Sequence, residues 1–101
     1  MRAFSLHIHP LKVRRAAAVG RARFSVTQAV FFLILNAAAE ADSGGAYSLD
    51  ADTLAKSLDV PVRPALDGLT KAGLIGGGRV LNFGEWVELD AGGRVMWTDE
   101  L

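Results

Sequence analysis

The chain contains no cysteine, which excludes disulfides, thiolate nucleophiles and thiolate metal sites. It has only two histidines, His7 and His9, in the string "HIH". A metal site built on imidazole wants three or four ligands, so neither metal nor cofactor is expected. Neither histidine stands near a serine and a carboxylate in a catalytic pattern. "IGGGRV", at 75–80, is rich in glycine but lacks the spacing and the Lys-Ser/Thr of a phosphate loop. Enzyme chemistry is therefore not expected. The longest apolar run, "AVFFLIL" at 29–35, is too short to span a bilayer. A basic N-terminus, this run and the following "NAAAEADS" have the outline of a signal peptide. However, the chain starts at Met1 and the run supplies a helix the remaining fold needs, so a cytoplasmic location away from membranes is expected. Acidic residues are missing from the first third: the earliest is Glu40, whereas Arg2, Lys12, Arg14, Arg15, Arg21 and Arg23 all precede Phe24. Net charge is zero over 101 residues, so the remainder is acidic. A basic N-terminal face points to an anionic partner, although a solvated charged arm would read the same way.

One domain with a single modest core fits this length and a half-hydrophobic composition. Phe4, Leu6 and Ile8 alternate with Ser5 and His7, the period of a short strand. Pro10 suits the first turn of a helix, which would run to about Val19 and end at Gly20. Ser25 and Gln28 have capping-box spacing, opening a helix from Val26 to about Ala41. Val26, Val30, Leu33 and Ala37 share one face of it, and Phe31, Phe32 and Leu35 lie on the others. A helix apolar on all sides must be covered on all sides, by the N-terminal segment, a second copy, or both.

"AYSLD" reads as a brief extended stretch. Asp50 caps a helix over about 51–58, with Leu54, Ala55 and Leu58 inward. "DVP" turns the chain into a helix over about 62–72, with Pro64 tolerated in its first turn. Val62, Ala65, Leu66 and Leu69 face inward, and Leu66 is expected between the two helices. Gly73 ends the helix. "RVLNF", "WVELD" and "RVMWT" read as strands, the last two joined through "AGG" as a hairpin. Val87, Leu89, Val95 and Trp97 suit one face of that hairpin. Trp86, Glu88, Arg94 and Met96 suit the other, where Trp86 and Met96 would offer a protein-binding patch.

From Ser25 on, the pattern "LAKSLDV…ALDGLTKAGLI" and the glycine-led hairpin after it resemble the winged-helix family. That family includes small DNA-binding regulators and the N-terminal domains of plasmid and phage replication initiators. The resemblance implies an α+β fold with two parts. Residues 25–101 would form the winged helix-turn-helix, a three-helix core with a C-terminal β-hairpin wing, and residues 1–24 a basic strand-and-helix extension. It implies a non-catalytic bacterial or phage protein that regulates transcription or replication by binding double-stranded DNA, as a homodimer. In such proteins the third helix enters the major groove and the wing meets the backbone. That places Arg63, Pro64, Asp67, Gly68 and Lys71 on the exposed face of the third helix, with Arg63 and Lys71 as contacts. Arg79 and Arg94 would serve the wing, and Thr53 and Lys56 the second helix. Arg14, Arg15, Arg21 and Arg23 would extend the footprint over phosphates. Phe31, Phe32 and Leu35 would form the dimer interface. The alternative is a winged helix used for protein assembly without DNA, which the zero net charge and Asp67 between the two cations favour.

Overall fold

The computed structural model describes residues 4–41, 43–89 and 96–99. Its elements are β1 (Phe4–Ile8), α1 (Pro10–Gly20), α2 (Phe24–Ala41), α3 (Ala51–Leu58), α4 (Arg63–Lys71), β2 (Ile75–Gly76), β3 (Arg79–Val80), α5 (Phe83–Trp86), β4 (Val87–Leu89) and β5 (Met96–Asp99). The fold is α+β: four principal helices, a two-stranded antiparallel sheet of β2 and β3, and a three-stranded sheet ordered β4-β1-β5.

The long helix α2 is the centre. Val30, Phe31, Ile34, Leu35, Ala38 and Ala39 are buried along it, and they meet α1, α4 and the C-terminal segment. By length and composition alone α2 could cross a bilayer; here its apolar residues are what the neighbouring elements pack against. It begins at Phe24, so Ser25 lies inside the first turn, exposed, and not at the expected cap. Thr27, the buried polar side chain of this helix, donates its hydroxyl to the Arg23 carbonyl at 2.9 Å and so leaves no unpaired donor in the core.

Helix α1 buries Val13, Ala16 and Ala17, a stripe that Gly20 continues at the same spacing. The stripe lies on α4, and the two backbones touch. A Cβ at Gly20 would stand 2.1 Å from the Pro64 carbonyl oxygen, and a Cβ at Gly68 would stand 2.1 Å from the Ala16 carbonyl oxygen. No L side chain fits at either position. This corrects one expectation: Gly68 is buried in the helix crossing and is not part of the exposed face of α4. α1 ends at Gly20 as expected, and the left-handed residue just after it is Arg21, at φ 56°. Two bonds close that end, Arg21 N–H to Ala18 O at 3.2 Å and Ala22 N–H to Ala17 O at 2.9 Å, the pattern of a Schellman motif. Glycine at position 20 is demanded by the contact, and the backbone of Arg21 absorbs the turn.

Helices α3 and α4 follow the sequence closely. Asp50 caps α3 by accepting the Thr53 N–H at 2.7 Å. Asp59, left-handed at φ 55°, ends it. After α4, Gly73 at φ +79° directs the chain back, with Leu74 N–H bonded to Leu69 O at 2.9 Å. Val62, Ala65 and Leu69 are buried on the inner face of α4. Leu66 is only half-buried, on the rim. The leucine in the core is Leu69 and not, as expected, Leu66, because position 66 falls between the buried and outward faces at 100° per residue.

The C-terminal third departs most from expectation. The strand read from "RVLNF" stops after Val80, and Phe83–Trp86 form a helical turn. β2 and β3 form a minimal hairpin, Ile75 opposite Val80 and Gly76 opposite Arg79. Its two-residue loop, Gly77-Gly78, has φ of +59° and +74°, the signature of the type I′ turn that suits strand twist. Ala46 bridges Arg79 on the other side of β3 from β2, so "AYSLD" does supply a short extended piece. β4 and β5 do not pair with each other. β1 lies between them, antiparallel to β4 (Leu6 opposite Val87) and parallel to β5 (Leu6 opposite Trp97). Alternation reveals a strand and its faces; it does not reveal which strand lies alongside. β1 is thus the central strand of its sheet, and α1 packs on α4. The facing expected for Leu89, Val95 and Trp97 falls outside the described side chains.

Two outcomes test this packing. Gly68→Ala forces the α1 and α4 backbones apart and should cost at least the ~1–3 kcal/mol of core overpacking, measured by chemical denaturation. Leu69→Ala should cost ~2–5 kcal/mol, and Leu66→Ala clearly less, since its side chain is already partly in water; equal losses would place Leu66 inside the core after all.

Candidate nucleic-acid interface

The outward face of α4 carries Arg63, Pro64, Asp67, Thr70 and Lys71, all exposed. Lys71 Nζ lies 3.1 Å from an Asp67 carboxylate oxygen, an i,i+4 pair with both side chains more than half exposed. Such a pair is worth little in stability. Its electrostatic consequence is larger, because Asp67 offsets the charge of Lys71 and leaves Arg63 as the uncompensated cation of this helix.

Arg63 has company from another part of the chain. The α1–α2 link, residues 21–23, runs beside the first turn of α4. Arg21 and Arg23 stand at a cleft of 410 Å³ whose other walls are Ala22, Val26, Val60, Pro61 and Pro64. Arg63 borders a shallower hollow of 590 Å³ with Gly20, Pro64, Leu66, Asp67 and Thr70. Pro64 belongs to both, so the three arginines flank the same proline. Among the described residues, Arg15, Arg21, Arg23, Arg63 and Arg79 form no ion pair. Arg14 lies over the Phe24 ring, 4.6 Å from its centroid, which ties it to the start of α2. Arg15 is exposed on the side of α1 turned away from α4. Arg79 is exposed on β3 beside the Gly77-Gly78 turn. Thr53 and Lys56 are exposed on α3, where the backbone of Thr53 is engaged by Asp50. Arg94 lies outside the described residues.

Sequence reading named each of these arginines yet missed what joins them. The walls Val26, Val60 and Pro61 carried no local signal. The two prolines of "VPVRP" were the available clue, since their fixed φ holds that wall in place.

Two expected interaction surfaces are corrected. Trp86 is 1% exposed. Its ring meets Phe31 edge-on at 4.7 Å and His9 edge-on at 4.5 Å, so it cannot offer a protein-binding patch with Met96. The reason is α5: a helical turn at 83–86 rotates Trp86 inward, where continuous strand would have turned it out. Phe31 and Leu35 are buried within the single chain, and of the expected dimer residues only Phe32 stays half-exposed. His9 also places Nε2 3.0 Å from the Glu85 carbonyl oxygen. Among the described residues no three His, Asp or Glu side chains are grouped to hold a metal.

Lys12 completes the seal over Trp86. Its ammonium donates to the Glu85 carboxylate at 2.9 Å and lies 5.8 Å from the Trp86 ring centroid. That hydrogen bond holds the Glu85 carboxyl below its ordinary range. The Thr53 N–H does the same for Asp50. Both groups have a folded pKa lowered relative to the unfolded chain. Their contribution is therefore present at neutral pH and lost as pH falls through the folded values. Thermal melts taken from about pH 7 down to about pH 3 should show a falling midpoint. Asp50→Asn, which keeps a capping oxygen without the charge, and Lys12→Met should each flatten part of that fall.

No protein-family model matches the chain, and neither a curated protein nor a solved structure is found to be similar to it.

Proposed function

We propose that this chain is a non-catalytic winged helix-turn-helix domain that binds duplex DNA, as a regulator of transcription or replication. The order α2, the Ala46 bridge, α3, α4 and the β2–β3 hairpin supports the winged-helix reading. In that reading α3 and α4 are the helix-turn-helix and the Gly77-Gly78 hairpin is a very short wing. One observation carries the DNA reading: Arg21, Arg23 and Arg63, from two segments distant in sequence, gather around the first turn of α4 without a carboxylate partner among the described residues. A folded chain with no net charge does not collect unpaired guanidinia at one helix end for stability, since each repels the others.

The composition of the face also sets the kind of binding. Base readout needs Arg, Lys, Asn or Gln projecting from the helix into the groove. On α4 the outward positions are Arg63, Asp67 and Thr70, with Lys71 held by Asp67. Asp67 repels phosphate and reads at most a cytosine amino group. The arginines thus act mainly on phosphates, and binding discriminates weakly among sequences.

Fluorescence anisotropy against a duplex of random sequence tests this. With Arg21, Arg23, Arg63 and Arg79 on phosphates, the logarithm of the binding constant should fall linearly with log salt, with a slope of roughly −3 to −4. Arg63→Glu together with Arg79→Glu should abolish binding while moving the thermal midpoint little, because exposed charges add little stability. Asp67→Asn should strengthen binding, by removing a negative charge and releasing Lys71. Absence of binding to any duplex at about 50 mM salt, where such electrostatic binding is strong, removes the DNA reading and leaves a domain used for protein assembly.

A further inference from the structure

The 410 Å³ cleft between the α1–α2 link and the α3–α4 turn has properties that a phosphate-contacting surface does not need. Its volume lies within the ~300–1,000 Å³ of small-molecule sites. Val26, Val60 and Pro61 give it apolar walls, and among the described residues its polar side chains are Arg21 and Arg23. A DNA phosphate would use the guanidinia and leave the apolar walls empty.

The walls are also held before any ligand arrives. Val26 and Val60 pack onto the hydrophobic core. Pro61 and Pro64 have fixed φ. The turn that carries Arg21 is closed by the 2.9 Å bond from Ala22 N–H to Ala17 O. A preformed wall lowers the ordering cost of binding. Chemistry then selects the ligand. Paired guanidinia favour a carboxylate, which each can meet with charge-assisted hydrogen bonds. Walls without hydrogen-bonding side chains reject an inorganic anion, whose remaining oxygens would go unsatisfied, and favour an apolar body.

We infer that this cleft binds a small organic carboxylate with an apolar body, its carboxylate between Arg21 and Arg23 and its body against Val26 and Val60. Occupation neutralises two of the arginines proposed to meet phosphates, so ligand and duplex oppose one another. By linkage, duplex weakens the ligand by the same factor that ligand weakens duplex. This opposition rests on the DNA reading above; the ligand site itself does not.

The test uses the full chain with phenylacetate, phenylacetamide and inorganic phosphate as probes, followed by amide NMR shifts. Phenylacetate should give saturable shifts centred on Ala22, Val26 and Val60. Arg23→Gln and Arg21→Gln should each weaken it about tenfold or more, the loss of one charge-assisted bond. Val60→Phe, which fills the cleft from its wall, should abolish it. Equal binding of phenylacetamide, equal shifts with phosphate alone, indifference to both arginine variants, or no saturable shift would each overturn the site. In the second arm, phenylacetate should weaken duplex binding by the wild-type chain and not by Arg23→Gln. A chain that binds phenylacetate but no duplex overturns the opposition and the DNA reading, and leaves the carboxylate site standing.

Discussion

Everything at the candidate interface depends on one backbone contact, the crossing of α1 and α4 at Gly20 and Gly68. With carbonyl oxygens 2.1 Å from where a Cβ would sit, the separation of these helices is set by the absence of side chains. Dispersion over such a close approach is gained along the whole stripe of Val13, Ala16 and Ala17. The crossing also determines where the chain goes next. Because Gly20 is spent on the contact, the left-handed turn falls on Arg21, and the α1–α2 link is carried along the first turn of α4. That is why Arg21 and Arg23, 42 and 40 residues before Arg63 in sequence, come to stand beside it.

The second constraint is the covering of α2. Its apolar surface is wider than α3 and α4 can hide, and the remainder is closed by the two ends of the described chain. β1 enters between β4 and β5, and Trp86 folds down onto Phe31 with His9 and Lys12 above it. The Lys12–Glu85 pair is exposed and weak as an ion pair. Its geometric role is clearer: it joins α1 to α5 over the ring, so a basic N-terminal residue meets an acidic C-terminal one. Folding thereby uses part of the charge asymmetry of the sequence internally. Of the arginines left over among the described residues, Arg15 stands apart on α1, and the rest lie near α4 and the hairpin, a narrower basic surface than the whole N-terminal third suggested.

That narrowing also separates two roles on α4. Its inner face is apolar and close-packed, with Ala65, Gly68 and Leu69 buried. Its outer face has one free cation among the described residues and one neutralised by Asp67. Specific recognition would require more base-reading groups than this face holds, whereas backbone contact requires only arginines in the right places. The neighbouring cleft draws on two of the same arginines. The ligand proposed for it would oppose the proposed duplex by competing for charge, with no movement of a helix required.

The sequence by itself determined the features that depend on neighbours in the chain. The Asp50 cap, the boundaries of α3 and α4, the left-handed Gly73 and the glycine turn at 77–78 are local, because capping bonds and positive φ values are settled within a few residues. The apolar character of α2 was likewise legible from its composition. Only the tertiary structure decided which side chains were buried and which segments met. Gly20 looked like a helix end and nothing more, and Gly68 like an exposed position, since nothing local distinguishes a glycine needed for turning from one needed for close approach. Trp86 looked exposed because four residues of helix at 83–86 reversed the strand alternation. β4 and β5 looked like a hairpin because period gives a strand's faces and never its partner. The arginine cluster and its cleft were invisible for the same reason: long-range packing of α1 on α4 creates them, and no periodicity within either segment encodes that contact.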